Sequence, residues 1–177
     1  PSGSVTISGT ATQGETLTAA NSLADLDGLG SISYQWKRAG AAISGATSST
    51  YSLVQADVGS AITVTASYTD GDGTAESVTS SATSAVANVN DIPTDLSLST
   101  SIFDENIADG SAVANLSSTD EDSGDTHTYS LVSGDGGADN SAFTIDGDQL
   151  KIIDSPDFEA KSSYAIRLQT KDSAGLT

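Results

Sequence analysis

Ala61-Ile62-Thr63-Val64-Thr65-Ala66-Ser67-Tyr68 alternates larger apolar side chains with small or polar ones along its whole length. A period of two, rich in β-branched residues, reads as a half-buried β-strand. Runs of the same kind lie on both sides of it: Ser4-Val5-Thr6-Ile7, Ser31-Ile32-Ser33-Tyr34-Gln35-Trp36 and Tyr164-Ala165-Ile166-Arg167-Leu168. Gly, Asp, Asn and Ser separate them, and these residues favour turns. No stretch carries a helical period. Many short strands with frequent turn signals predict an all-β chain built from sandwiches.

The 177 residues hold 24 Asp+Glu against 6 Lys+Arg, a formal net charge of −18. Such a chain lacks the basic face that neutralises phosphates, so nucleic acid is excluded as a partner. The same charge opposes docking on an anionic membrane, and no apolar run is long enough to span one. There is no Cys, hence no disulfide, thiolate metal site or Cys nucleophile. The single His, His127, is too few for a multi-histidine zinc site. It is expected at the surface, on a strand. The chain opens on Pro1, contains no Met and shows no signal segment, which reads as a piece of something longer. Modest hydrophobicity with high charge leaves two outcomes: disorder, or an acidic protein that folds fully when cations neutralise it. Residues 1–91 carry 8 acids and 2 bases, net −6, and residues 92–177 carry 16 acids and 4 bases, net −12.

Asn88-Val89-Asn90-Asp91-Ile92-Pro93 is the best boundary. It follows a Ser/Thr/Ala strand pattern over 75–87 and precedes the new alternation Leu96-Ser97-Leu98. Pro93, with no N–H, suits the entry to a strand. The expectation is a first sandwich over 1–89, a linker over 90–93 and a second sandwich over 94–177. In the first, Trp36 falls on the third strand, where an indole packs between immunoglobulin-type sheets. Asp57-Val58-Gly59 marks a corner, with Asp57 as its hydrogen-bonding residue. The near-identical Thr50-Tyr51-Ser52-Leu53-Val54 and Thr128-Tyr129-Ser130-Leu131-Val132 read as shared strand composition, not a repeat.

Acids cluster in the second part. Asp104-Glu105-Asn106 with Gly110, Asp120-Glu121-Asp122 with Gly124, Tyr129-Ser130-Leu131, Phe143-Thr144-Ile145, Asp157-Phe158-Glu159 and Asp172-Ser173-Ala174-Gly175 occur in that order. Together with Asn88-Val89-Asn90-Asp91, this series resembles a cadherin repeat. It departs from that pattern in three places: Asn88 stands where an Asp is usual, Pro93 comes one residue early, and the last strand is only begun by Thr177. Residues 1–91 resemble the Ig-like repeats that stand in tandem in large bacterial surface adhesins. Val5-Thr6-Ile7-Ser8-Gly9, Asp25-Leu26-Asp27-Gly28-Leu29-Gly30, Ser33-Tyr34-Gln35-Trp36, Gly45-Ala46-Thr47, Ala56-Asp57-Val58-Gly59 and Tyr68-Thr69-Asp70 carry this likeness.

The cadherin resemblance implies Ca²⁺, which takes about 6–8 oxygen ligands in a flexible shell. It assigns Asn88, Asn90, Asp91, Asp120, Asp122 and Asp172 to one site at the junction. Glu105, Asp157 and Glu159 would form half of another, facing a following domain. In the first domain Asp25 and Asp27, with Asp70 and Asp72, echo the arrangement on two loops, although Asp-Gly is also an ordinary turn pair. The implied function is a calcium-rigidified stalk or adhesion module of a larger secreted or cell-surface protein, bacterial in origin, with neighbouring domains of the same chain as partners. The alternative is a module that binds a cell-surface carbohydrate or protein, or one attached to a secreted enzyme. No nucleophile elbow is present, and the chain itself reads as non-enzymatic. The sequon Asn115-Leu116-Ser117 is expected to go unused in a bacterial protein. With the last strand only begun over 174–177, the second sandwich would have an open edge, and the expectation is truncation or disorder beyond Thr177, or a strand supplied by another segment.

Overall fold

The computed structural model describes Pro1–Thr177, an all-β chain that divides into two compact units, Pro1–Val89 and Asn90–Thr177. No helix is long and apolar enough to cross a membrane. Each unit has two antiparallel sheets, and the strand pairs cross in sequence order as in Greek-key sandwiches.

In the first unit, β1 (Val5–Ser8), β2 (Thr16–Asn21) and β5 (Thr50–Ser52) form one sheet, in the order β1-β2-β5. The second sheet runs β4-β3-β6-β7, from β3 (Ser33–Arg38), β4 (Ala41–Ala42), β6 (Ile62–Thr69) and β7 (Ala75–Thr79). The alternation that announced β6 has a direct use: Ile62, Val64, Ala66 and Tyr68 point inward and are buried. Trp36 pairs with Val64 across β3 and β6, is itself fully buried, and stacks on Tyr51 at 5.8 Å. Its Nε1–H donates to the Ser48 carbonyl at 2.9 Å, so the indole buries no unmade hydrogen bond. Leu17, Leu53 and Val86 complete this core.

The polar pattern over 75–87 does not continue as one strand. The Ser80 hydroxyl accepts from the Val64 N–H at 3.1 Å and the Thr83 hydroxyl from the Ile62 N–H at 3.0 Å. These side chains compete with a backbone ladder and end β7 at Thr79. The chain then makes isolated bridges from Ala85, Val86 and Ala87 to Ala61, Val58 and Thr12.

Without a disulfide, one buried polar cluster ties the corner of this unit. Asp57 is fully buried and accepts from Arg38 Nε at 2.6 Å, from the Tyr51 hydroxyl at 2.9 Å and from the Val54 N–H at 2.9 Å. The hydrogen bond from Arg38 to this carboxylate raises the guanidinium's pKa, and burial followed by the bond to Asp57 raises that of the Tyr51 phenol.

The second unit pairs β8 (Asp95–Leu98), β9 (Ala112–Thr119), β12 (Gln149–Ile152) and β11 (Phe143–Asp146) in the order β11-β12-β9-β8. Its other sheet has two strands, β10 (Thr128–Leu131) and β13 (Leu168–Lys171). The core is thinner: Val113, Ala114, Phe143, Leu150 and Ile152 are buried, with Phe103, Tyr164 and Ile166 packed against them. The expected strand at 164–168 begins only at Leu168. Side chains stand in for the ladder there, because Asp139 takes the Ala165 N–H at 2.8 Å and Asn140 takes the Arg167 N–H at 2.9 Å.

Replacing Asp57 by Ala leaves the Val54 N–H and the Arg38 charge without their partner, and is expected to destabilise the first unit by about 2–3 kcal/mol. Trp36 is the only Trp, so its fluorescence during denaturant unfolding reads this unit directly. Asp146→Ala removes a pair with Lys151 in which the carboxylate is exposed, and is expected to leave the unfolding midpoint of the second unit nearly unchanged.

Candidate metal centre

Three loops of the second unit converge on one acidic site. The β9–β10 connection, residues 120–127, supplies Asp120, Asp122 and Asp125. The turn after β13 supplies Asp172. The segment before β8 supplies Asn90 and Asp91. Carboxylate oxygens of Asp120, Asp125 and Asp172 all lie within 4.8 Å of one another.

The loops are fixed largely by the acids themselves. Asp120 Oδ1 accepts the Asp122 N–H at 3.0 Å, folding the start of the loop. Asp122 is buried, and its Oδ2 accepts the Asp91 N–H at 2.7 Å. Asn90 Nδ2 donates to Asp172 Oδ2 at 2.7 Å and to its neighbour's carbonyl, Asp91 O, at 2.9 Å. Asp172 Oδ1 accepts the N–H groups of Gly175 and Leu176, at 2.5 and 2.8 Å. Burial alone pushes the Asp172 carboxyl up, but the bonds from Asn90 and from the turn's N–H groups outweigh it, and its pKa lies below the ordinary carboxylate value. The group is therefore held as an anion in a buried place.

Asp125 is the residue that the sequence motif passed over. Its Oδ1 accepts from the Ser173 hydroxyl at 3.0 Å, whereas its Oδ2 is buried and has no hydrogen-bond partner. A buried carboxylate oxygen without a donor is costly. Asp125 stands with two more carboxylates, and three hard oxygen donors together fit a cation. The signal available in the sequence was a third acid in the same short loop, directly after Gly124. His127 is not the surface strand residue expected; it sits just before β10, with a side chain 13% exposed, and its Nε2 lies 3.3 Å from Asp120 Oδ2.

Two other acidic groups form, and neither has such an oxygen. Glu105, Asp157 and Glu159 come together, all exposed, with Glu105 accepting the Phe158 N–H at 3.0 Å and Asp157 the Glu159 N–H at 3.0 Å. In the first unit Asp25, Asp27 and Asp70 come together. Asp72 stays outside: its N–H donates to Asp70 Oδ1, so its place in the turn is to cap that carboxylate. Two glycines bring these loops into backbone contact, since a Cβ on Gly30 would stand 2.1 Å from Thr69 O and one on Gly71 2.0 Å from Asp27 O. Asp25 is already engaged by the Tyr68 hydroxyl at 2.8 Å and the Asp27 N–H at 3.2 Å. The Tyr68 bond leads in lowering its pKa, while burial and then Asp25 push Tyr68 up to about 12. Asn88 falls near the end of the first unit, two residues before Asn90.

No protein-family model and no curated protein sequence matches the chain. Solved structures with a similar fold include mouse cadherin-23 EC22-24, at 21% identity over 97% of this chain and 56% of that one, TM-score 0.43. Protocadherin gamma B7 extracellular cadherin domains 1–4 is similar at 20% identity over 99% of this chain and 44% of that one, TM-score 0.45. The protocadherin gammaB4 extracellular domain is similar at 20% identity over 97% of this chain and 29% of that one, TM-score 0.45. The chain thus spans between 29% and 56% of the length of these structures.

Asp125→Asn removes one like charge from the cluster. In EDTA this is expected to raise the melting temperature, because a repulsion on the order of 1 kcal/mol is relieved, equivalent to about 4–8 °C in a domain of this size. In calcium the same variant is expected to gain less stability than the parent. Paired melts in EDTA and calcium, followed by calorimetry, read both effects.

Proposed function

We propose that this chain is a calcium-stiffened extracellular stalk or adhesion module of a longer surface or secreted protein. One observation carries the reading: Asp120, Asp125 and Asp172 bring carboxylate oxygens together, Asp125 among them has a buried oxygen with no hydrogen-bond partner, and the segment Asn90–Asp91 is bonded to the same loops. That segment lies where the first unit gives way to the second along the chain.

Asp120, Asp125 and Asp172 would hold the ion, with Asn90, Asp91 and Asp122 beside them as further oxygen donors or as braces. A bound calcium supplies positive charge to hard oxygen ligands and accepts an irregular shell. The chain's own part is to hold its acids in place and to keep Asp172 charged. Asp122 orients Asp91 through a backbone bond, so any ordering of the acidic loop passes to the connecting segment. Calcium that binds only the folded form also stabilises it by mass action. The sequence order of the acid motifs, which resembles that of a cadherin repeat, supports the same reading. Glu105 with Asp157 and Glu159, and Asp25 with Asp27 and Asp70, would be weaker sites, dependent on oxygens from neighbouring domains.

Small-angle scattering in calcium and in EDTA tests the proposal. Units joined by a short segment within one chain move relative to each other by default. The expected result is a narrow distribution of dimensions in calcium that broadens in EDTA, with Asp125→Asn and Asp172→Asn broad in both. Identical profiles in the two buffers would demote the acids to solvated loops.

A further inference from the structure

Residues 120–127 carry the chain from β9 in one sheet of the second unit to β10 in the other. Asp120 stands directly after Thr119, the last residue of β9, and His127 directly before Thr128, the first of β10. The contact between His127 Nε2 and Asp120 Oδ2, at 3.3 Å, therefore closes this loop at its base and joins strand ends from different sheets. Both partners are withdrawn from water, with side chains 13% and 3% exposed. A carboxylate only accepts, so Nε2 carries the hydrogen in this contact. A ring nitrogen that bears hydrogen has no lone pair for a cation, and His127 is accordingly not a ligand.

The acids of the cluster divide across the same gap. Asp120 extends β9, whereas Asp172 extends β13, the partner of β10. Asp125 is tied to the β13 side by the Ser173 hydroxyl at 3.0 Å. Thr128 pairs with Lys171, and His127 and Asp172 lie one step further along that register. The imidazole is thus anchored on the strand pair that ends in Asp172, and it reaches across to the carboxylate that ends β9. Asp120 Oδ1 already accepts the Asp122 N–H at 3.0 Å. With His127 on Oδ2, the carboxylate cannot turn without breaking a bond, yet each oxygen keeps a lone pair for an ion. One further side-chain bond joins β9 to β13 nearby, from the Ser118 hydroxyl to Thr170 Oγ1 at 2.8 Å.

We infer that His127 is a positioning residue of the metal centre. The inference rests on the calcium reading proposed above and adds to it how the oxygens are assembled. Neighbouring carboxylates repel one another, which drives Asp120 away from Asp125 and Asp172. The bond from His127 opposes that separation and sets Asp120 against the other two before an ion arrives. Ligating carboxylates are commonly held by such outer hydrogen bonds, and removing one typically weakens metal binding by about ten- to a hundredfold.

The test uses the 177-residue chain with calcium alone, and reads affinity by titration calorimetry. His127→Phe keeps a ring without the N–H and is expected to bind calcium about tenfold more weakly or worse. His127→Gln brings an amide N–H to the place of Nε2 and is expected to recover most of that loss. A role in packing alone predicts the opposite order, because a ring replaces a ring better than an amide does. Melts in EDTA check that both variants are folded. A second measurement needs no substitution: His127 is the only histidine, so its imidazole signals in ¹⁵N NMR belong to one residue. Hydrogen on Nε2 is expected in EDTA and in calcium alike. Calcium affinity of the Phe variant equal to the parent's, tighter binding by Phe than by Gln, or hydrogen on Nδ1 alone would each overturn the inference. A parent chain that binds no calcium would instead overturn the calcium reading, and this inference with it.

Discussion

Repulsion among carboxylates is the constraint that shapes this chain. A net charge of −18 is folded into thin antiparallel layers, with the acids gathered at loops. The strands manage this by keeping their inward positions apolar and small. The loops manage it by spending backbone N–H groups on the acids: Asp122 on Asp120, Asp91 on Asp122, and Gly175 and Leu176 on Asp172. These bonds fix where the carboxylates point, and they accept charge that has not been neutralised. What remains is a short-range repulsion with one natural remedy, a hard cation among oxygens. The buried Asp125 oxygen without a donor is the place where such bonding stops.

The two units solve their packing differently. The first has a broad apolar core around Trp36 and adds a buried charge cluster, Asp57 with Arg38 and Tyr51, at the corner before β6. Burial of Asp57 is tolerable because both its oxygens have donors, Oδ1 from Arg38 and Oδ2 from the Tyr51 hydroxyl and the Val54 N–H. The second unit has fewer buried side chains and only two strands in one of its sheets. Its aromatic residues Phe103, Phe143 and Tyr164 pack edge to face or tilted against one another. Neutralising the acids would therefore matter most in the unit with the least apolar surface to hold it.

Much of the fold was legible in the sequence because half-buried strands write their period plainly. The alternation of 61–68 became β6 with alternate residues in the core, and Trp36 is buried on β3 as its place in the series required. Legibility failed where side chains replaced backbone partners. Ser80 and Thr83 broke the run at 75–87, and Asp139 and Asn140 took the N–H groups that would have extended β13 to Tyr164. Neither substitution changes the hydrophobic pattern, so a reading of period alone passes over both. The acid clusters were legible as short-spaced motifs, and the loops bring Asp120 and Asp172 together from distant positions. Asp125 was not, because it falls after the turn glycine that closes the motif. The exclusion of Asp72 was equally silent, since it depends on which of two neighbouring acids turns its carboxylate inward and which gives its N–H.

The central claim is that the acidic loops and the connecting segment respond to calcium as one unit. Amide hydrogen exchange at Asp91 tests it most directly, because that N–H is donated to Asp122 beside the cluster. The account predicts strong protection of the Asp91 amide in calcium, in step with the Asp122 and Leu176 amides, and fast exchange of all three in EDTA. Equal exchange in both buffers, or slowing of Asp122 and Leu176 with Asp91 left unchanged, would contradict it.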